Sequence, residues 1–220
     1  MSLMNTLKFL WLLLIMTCSH ALMAQQDTIY KPSIRLGVDL GGFARQIFEP
    51  QTQSLEFSLD VEWKRHYFAA FEAGMLAVDI SRESHQYQAS GYFFRLGMDF
   101  NILGQTPDNP HDLVLLSLRY GYGSLEHEAP MIQINDPYWG NYLTNLPAES
   151  YGAHWLEAGI GLKTQLWGQL FLGWSLRGRL LVSQSSDHGM APYFISGYGK
   201  SSGSTNLMLH YTISYRIPFR

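Results

Sequence analysis

The sequence predicts an all-β fold: an eight-stranded antiparallel up-and-down transmembrane β-barrel behind an N-terminal signal peptide. Three observations carry that expectation. From Thr205 to Phe219, Leu207, Leu209, Tyr211, Ile213, Tyr215, Ile217 and Phe219 alternate with Met208, His210, Thr212, Ser214, Arg216 and Pro218. A two-residue period of that length is a strand with one apolar side. Seven further segments repeat the pattern. Long connections alternate with short ones, as in membrane barrels with turns at one end and loops at the other.

The N-terminus agrees with this address. Lys8 precedes the apolar run FLWLLLIMTC (Phe9 to Cys18), and small or polar residues follow to Ala24 and Gln25. That order describes a secretory signal peptide. Cleavage is expected after Ala24, so residues 1–24 are signal and 25–220 a single barrel domain. The run is shorter than the about 20 apolar residues of a membrane-spanning helix. Cys18 is the sole cysteine. Thr17 stands where a lipoprotein signal carries a smaller residue, which favours an ordinary signal-peptide cysteine over a lipidated one. Neither a disulfide nor a thiolate metal site is expected.

The strands follow in order. Ile34, Leu36, Val38 and Leu40 alternate with Arg35, Gly37, Asp39 and Gly41. Leu55, Phe57, Leu59, Val61 and Trp63 alternate with Glu56, Ser58, Asp60, Glu62 and Lys64. The third strand, Tyr67 to Val78, sets small residues and Phe71 against Glu72 and Gly74. The fourth sets Phe94, Leu96, Met98, Phe100 and Ile102 against Arg95, Gly97, Asp99 and Asn101, and its FRLGMDF echoes IRLGVDL of the first. Val114, Leu116, Leu118, Tyr120 and Tyr122 oppose Ser117, Arg119, Gly121 and Gly123 in the fifth. Leu156, Ala158, Ile160, Leu162 and Leu166 oppose Glu157, Gly159, Gly161, Lys163 and Gln165 in the sixth. The seventh sets Leu170, Leu172, Trp174, Leu176 and Leu180 against Gly173, Ser175, Arg177 and Arg179. Arg65–His66 and Trp167–Gly168 are expected as tight periplasmic turns, with both termini in the periplasm. Residues 103–112 are long for such a turn.

Residue identity decides which face meets lipid. Charged residues are 15% of the chain, against roughly 25% in soluble domains, yet mean hydropathy is −0.08 because apolar and polar residues alternate. The polar face bears Arg35, Asp39, Glu56, Asp60, Glu62, Glu72, Arg95, Asp99, Arg119, Glu157, Lys163, Arg177 and Arg179, interspersed with glycine. Mixed charges and small residues suit a crowded lumen, and an eight-stranded barrel is just wide enough for side chains to fill it. Buried charges must pair or cost several kcal/mol each, so these residues form the expected lumen network. Trp63, Trp167 and Phe219 then fall at the periplasmic interface and Tyr122, Tyr151 and Trp155 at the outer one, as aromatic girdles. Exchanging the faces would give a soluble ligand-binding barrel instead.

The motifs GVDL in the first strand, RYGYG in the fifth, AHWLEAGIGLKTQL from Ala153 to Leu166, LFLGWSLR from Leu170 to Arg177 and the closing YTISYRIPF carry a resemblance. The chain resembles an uncharacterised family of secreted proteins of Bacteroides-type bacteria (Bacteroidota), a domain of unknown function like DUF6048, over most of its length. The resemblance implies an outer-membrane-type β-barrel of about this size and carries over no activity or site residue.

Candidate chemistry is sparse. Glu126, His127 and Glu128 are consecutive, but neighbours in an extended chain point to opposite sides, so a solvated loop is expected rather than a metal site. His210 and Thr212 share one face of the last strand. A lipid hydrolase needs a hydroxyl, a base and an orienting group at the lipid boundary, so a structural hydrogen-bond network is the expected role. The segment Ser124 to Ala153 is expected as the longest external loop. Its Tyr138, Trp139 and Tyr142 are candidate recognition residues, or else sit in lipid headgroups or pack as a lid over the barrel mouth; packing is favoured because exposed aromatic clusters need a partner. Pro192, Tyr193, Phe194 and Tyr198 carry the same two readings.

A formal net charge of −3 gives no sign of nucleic-acid binding. No cofactor or metal is expected. The expected partners are outer-membrane lipid, the barrel-assembly machinery acting on the C-terminal strand, and a surface partner of the loops; a monomer is expected. Three function classes stand: a non-enzymatic outer-membrane protein, structural or binding through its loops; a membrane-embedded enzyme modifying lipid or lipopolysaccharide, which would lose turnover on replacement of His210, His154 or His127; and a soluble ligand-binding barrel.

Overall fold

The computed structural model describes residues 32–103, 111–138, 140–185, 191–201 and 203–219. The expected signal peptide and Trp139 lie outside these residues. Strands β1 (Ser33–Asp39), β2 (Thr52–Lys64), β3 (Tyr67–Ser81), β4 (His85–Asn101), β5 (Leu113–Asp136), β6 (Gly140–Trp167), β7 (Leu170–Gln184) and β10 (Thr205–Pro218) form a closed antiparallel barrel. Their order around the ring is β1-β10-β7-β6-β5-β4-β3-β2. Each strand pairs with its sequence neighbour, the two short strands β8 (Phe194–Ile195) and β9 (Gly199–Lys200) forming a separate hairpin between β7 and β10.

Closure is made by the two terminal strands. Ile34 faces Ile217, Leu36 faces Tyr215 and Val38 faces Ile213, while Arg35, Gly37 and Asp39 face Arg216, Ser214 and Thr212. The register keeps apolar opposite apolar, and a slip of one residue would turn every apolar side chain inward. Leu36, Phe57, Met75, Leu96, Leu118, Ile160, Trp174 and Leu209 are exposed on the outside of the ring, one from each barrel strand.

At one end, the turn end, β2 passes to β3 through Arg65–His66 and β6 to β7 through Gly168–Gln169. Both turns use a left-handed residue, His66 (φ 71°) and Gly168 (φ 58°). At the same end Asn101 clamps the start of the β4–β5 connection: its Oδ1 accepts from Leu103 N (3.1 Å) and Val114 N (3.0 Å).

The opposite end, the mouth, departs from the sequence reading. The β1–β2 connection contains a helix, α1 (Gly41–Phe48); its start is tied to β1 because Gly42 N donates to Asp39 Oδ2 at 3.0 Å. The β3–β4 connection is a tight turn at Arg82–Ser84, both strands running further than expected. The segment Ser124 to Ala153 is not a loop: β5 and β6 continue through it as one long hairpin, with pairing irregular at His127/Ala129 and Ala129/Ile132. Glu126, His127 and Glu128 therefore lie in β5 rather than in a solvated loop, with Glu126 exposed and His127 buried between the rings of Tyr87 and Tyr151. The expectation missed these extensions because the two-residue period lapses where the hairpin leaves the ring and neither face has a single solvent.

The outer girdle also needs correction. Tyr151 and Trp155 face the lumen, 4% and 0% exposed. Trp155 has the same parity as Glu157 and donates Nε1 to its Oε1 at 2.7 Å; an indole N–H pointing into lipid would lack an acceptor. The outward aromatic band is instead Tyr92, Phe94, Tyr122 and His154, linked by ring contacts of 5.7, 5.7 and 4.8 Å. Trp63, Trp167 and Phe219 are exposed at the turn end.

Candidate functional site

The lumen is stacked in three zones, each built by inward positions of several strands. Nearest the turns, Phe68, Leu113 and Leu115 form an apolar cluster. Arg35 belongs here: its guanidinium lies over the rings of Phe68 (4.9 Å) and Phe171 (5.4 Å). Among the described residues the acids acting on it are Asp60 and Glu62 rather than the central carboxylates. Glu62 accepts from Ser33 Oγ at 3.0 Å, and Lys163 of β6 pairs with Asp60 of β2 across the ring.

The middle zone is an ion cluster. Glu72 receives Arg177 through two bonds (2.7 and 2.9 Å), Arg95 (3.0 Å) and Arg119 (3.2 Å). Arg95 also reaches Glu56 (2.5 Å), and Arg119 reaches Asp99 (3.0 Å). Glu157 takes Arg179 at 2.9 Å and lies 3.6–3.7 Å from Arg177 and Arg95. Each carboxylate faces at least one guanidinium, which offsets the several kcal/mol that burying an ion costs. Glycines make room for the long side chains. A Cβ at Gly97 would meet Arg119 Cγ at 2.6 Å, and one at Gly159 would meet Arg177 Cγ at 2.8 Å.

Asp39, Glu56 and His210 bring three metal-type donor atoms within 4.8 Å of one another. Arg179 Nη2 lies 2.7 Å from His210 Nε2. Arginine only donates, so Nε2 holds the lone pair and a neutral His210 carries its proton on Nδ1, facing Asp39 (3.9 Å) and Glu56 (3.7 Å). That proton occupies the position a metal would need, and Arg95 already neutralises Glu56. The arrangement is a hydrogen-bonded extension of the ion cluster. Thr212 shares the strand face with His210, but the bonding partner of His210 is Arg179.

The third zone closes the mouth. The segment from Phe194 to Tyr198 enters the ring, and Ile195 and Tyr198 pack with Phe93, Tyr151, Ala153 and Trp155. Tyr198 O accepts from Arg179 Nη1 (2.8 Å) and Asn206 Nδ2 (3.1 Å), fastening this plug to the ion cluster below it. Gly197 (φ 74°) lies against the Phe93 ring, where a Cβ would collide with it. The lid is therefore made by the β7–β10 connection and not by the β5–β6 tip. The sequence offered a lid or a recognition role for Phe194 and Tyr198 alike, and the packing of Tyr198 takes the first.

At the tip of the long hairpin the expected lid residues are uncovered: Tyr138 is 93% and Tyr142 63% exposed. Tyr142 stands directly opposite Ile134, which is 49% exposed, and Leu143 is exposed beside it. His154 is on the outer face, its Nδ1 bonded to Tyr120 Oη at 2.7 Å.

These features define a small closed β-barrel that is apolar outside, ion-paired within and plugged at one end. The chain belongs to the family described as a domain of unknown function (DUF6048), whose model matches residues 1–220. In structure it is similar to a major outer membrane protein from Thermus thermophilus, at TM-score 0.49 and 13% identity, covering 85% of this chain and 99% of that one. It is also similar to Ail, the attachment invasion locus protein of Yersinia pestis, at TM-score 0.43 and 11% identity, covering 85% and 98%. Neisserial surface protein A is a third, at TM-score 0.40 and 8% identity, covering 86% and 96%. No curated protein matches the chain in sequence.

Proposed function

We propose that the protein spans the outer membrane as a sealed, non-enzymatic barrel and that its β5–β6 hairpin is a binding element at the cell surface. The observation that carries this reading is the inversion of polarity: every barrel strand exposes large apolar side chains around an interior of buried ion pairs. A belt of that extent is incompatible with water and matches the lipid-facing band of a membrane barrel. Export by a signal peptide cleaved after Ala24, assembly through β10 and an origin in Bacteroidota accompany the proposal. Closure between β1 and β10 leaves no strand edge within the ring and favours a monomer.

The hairpin supports the binding role. β5 and β6 have 24 and 28 residues, whereas about 9–11 suffice to cross a bilayer. Among the described residues β6 has no strand partner on its β7 side before Gly152, whose O accepts from Ser185 N at 2.8 Å, and Pro147 interrupts its row of donors. Side chains such as Tyr138, Tyr142 and Ile134, rather than strand addition, would make the contact, with Trp139 beside them in sequence. The commitments of His210 to Arg179 and of His154 to Tyr120 support the non-enzymatic reading.

The test is membrane fractionation followed by electrophoresis with and without boiling, and photo-crosslinking from position 142 on intact cells. Outer-membrane recovery, a heat-dependent mobility shift and a discrete crosslinked adduct are expected. Release without detergent would overturn the membrane assignment. Absence of any adduct, or turnover of labelled envelope lipid by the purified protein, would overturn the binding role.

A further inference from the structure

A cleft of about 1020 Å³ opens at the mouth between the β3–β4 turn, β5 and the segment 191–201. Its volume is at the upper end of the roughly 300–1,000 Å³ typical of small-ligand sites. Tyr87 and Phe194 are buried in its wall, whereas Tyr193, Arg82 and Lys200 are exposed to it. Gln51 also lines it.

The lining is held in place. Tyr193 N donates to Tyr87 Oη at 3.3 Å, and the Tyr193 and Phe194 rings meet edge to face at 4.8 Å. Arg82 sits in a turn closed by its own N–H to His85 O (2.9 Å), and Gln133 N ties that turn to β5 through Ser84 O (2.8 Å). Lys200 is fixed by the β8–β9 pairing, and Ser201 N donates to Tyr193 O at 3.3 Å. Among the described residues, an aromatic residue, glutamines and two cations thus line one space with one acid, Glu49.

We propose that this cleft binds an acidic oligosaccharide. A sugar ring presents an apolar C–H face that stacks on an aromatic side chain such as Tyr193. Its hydroxyls bond amides such as that of Gln51, and its carboxylates or sulfates pair with Arg82 and Lys200 through charge-assisted bonds. The site is separate from the hairpin tip, and the test does not depend on what the hairpin binds.

The experiment is calorimetric titration of the full chain, folded in a sugar-free detergent, with tetragalacturonate and with the neutral maltotetraose. Saturable binding of tetragalacturonate is expected, at least about tenfold tighter than that of maltotetraose and weakening with salt. The double substitution Arg82→Gln/Lys200→Gln removes about tenfold of that affinity. Tyr193→Ala weakens both sugars, and the heat-dependent gel shift of every variant stays that of the parent. No saturable binding of tetragalacturonate, equal binding of the two sugars, or folded variants with unchanged affinity would overturn the proposal.

Discussion

Arg177 and Glu72 meet across the full width of the lumen, joined by two hydrogen bonds of 2.7 and 2.9 Å from strands on opposite walls of the ring. Because Glu72 also takes Arg95 and Arg119, one carboxylate holds three guanidinium groups. Glu72→Gln is expected to destabilise the folded barrel by about 3–5 kcal/mol, since it leaves those cations short of a counter-charge. Arg177→Lys keeps the charge but loses the two-pronged geometry and should cost less. Denaturant midpoints in detergent, read by the heat-dependent gel shift, rank the two; equal midpoints for Glu72→Gln and the parent would contradict the central role of Glu72.

The same cluster should keep the barrel electrically silent. With Arg177, Arg95 and Glu72 filling the middle and Ile195 and Tyr198 the mouth, planar bilayers containing the parent are expected to show no steady current. Replacing all three central residues by alanine still leaves Ile195 and Tyr198 in the mouth, so discrete conductance steps are expected only when residues 194–198 are removed as well. Steady currents from the parent would show that the lumen is open.

Trp155 occupies space that Gly121 vacates: a Cβ at residue 121 would collide with the indole ring. Gly121→Leu is expected to expel the indole, break its bond to Glu157 and cost about 1–3 kcal/mol. The readout is a change in near-ultraviolet circular dichroism together with a lower denaturant midpoint, both of which Gly178→Ala, whose Cβ would meet the Ala158 carbonyl oxygen at an ordinary 3.8 Å, should leave nearly unchanged.

The plug depends on one backbone conformation. Gly197→Val adds a left-handed β-branched residue and a clash with Phe93, so residues 191–201 should lose their seat in the ring at a cost of about 1–3 kcal/mol. Limited proteolysis should cut the variant within that segment while the barrel strands remain intact; cutting at the same rate as in the parent would argue against seating by Phe93.

His66 supplies a pH dependence outside the membrane-spanning strands. Burial first, and then the neighbouring Arg65, hold its imidazole below the ordinary histidine value. A folded value below the unfolded one means that the unfolded chain takes up the proton more readily. Stability from the neutral ring is present above the unfolded value, near pH 6.5, and is lost as pH falls through the folded value. The difference in midpoint between pH 8 and pH 5 should therefore be smaller in His66→Asn than in the parent. Asparagine also tolerates the left-handed conformation at this position, so the variant should be at least as stable at pH 8.

Residues 34–40 and 94–100 show where local sequence stops being enough. IRLGVDL and FRLGMDF predict the same strand with the same inward arginine, and both arginines do point inward. Both lie over phenylalanine rings, yet the acids acting on Arg35 are Asp60 and Glu62, whereas Arg95 is surrounded by Glu56, Glu72 and Glu157. Partners across a lumen come from strands distant in sequence, so no local pattern encodes them. Trp155 is a different case: its parity with Glu157 already placed it inward, and the preference for an interfacial tryptophan obscured that signal.

By itself the sequence determined the strands of the ring, their antiparallel sequence-neighbour order and the assignment of an apolar face and a charged face, because a period of two acts residue by residue on an extended chain. Tertiary structure alone decided which charges pair, that residues 194–198 plug the mouth while Tyr138 and Tyr142 stay uncovered, and that β5 and β6 run on past the barrel. Those outcomes depend on ring closure, which sets distances across the lumen and the space left at its mouth, quantities to which every strand contributes.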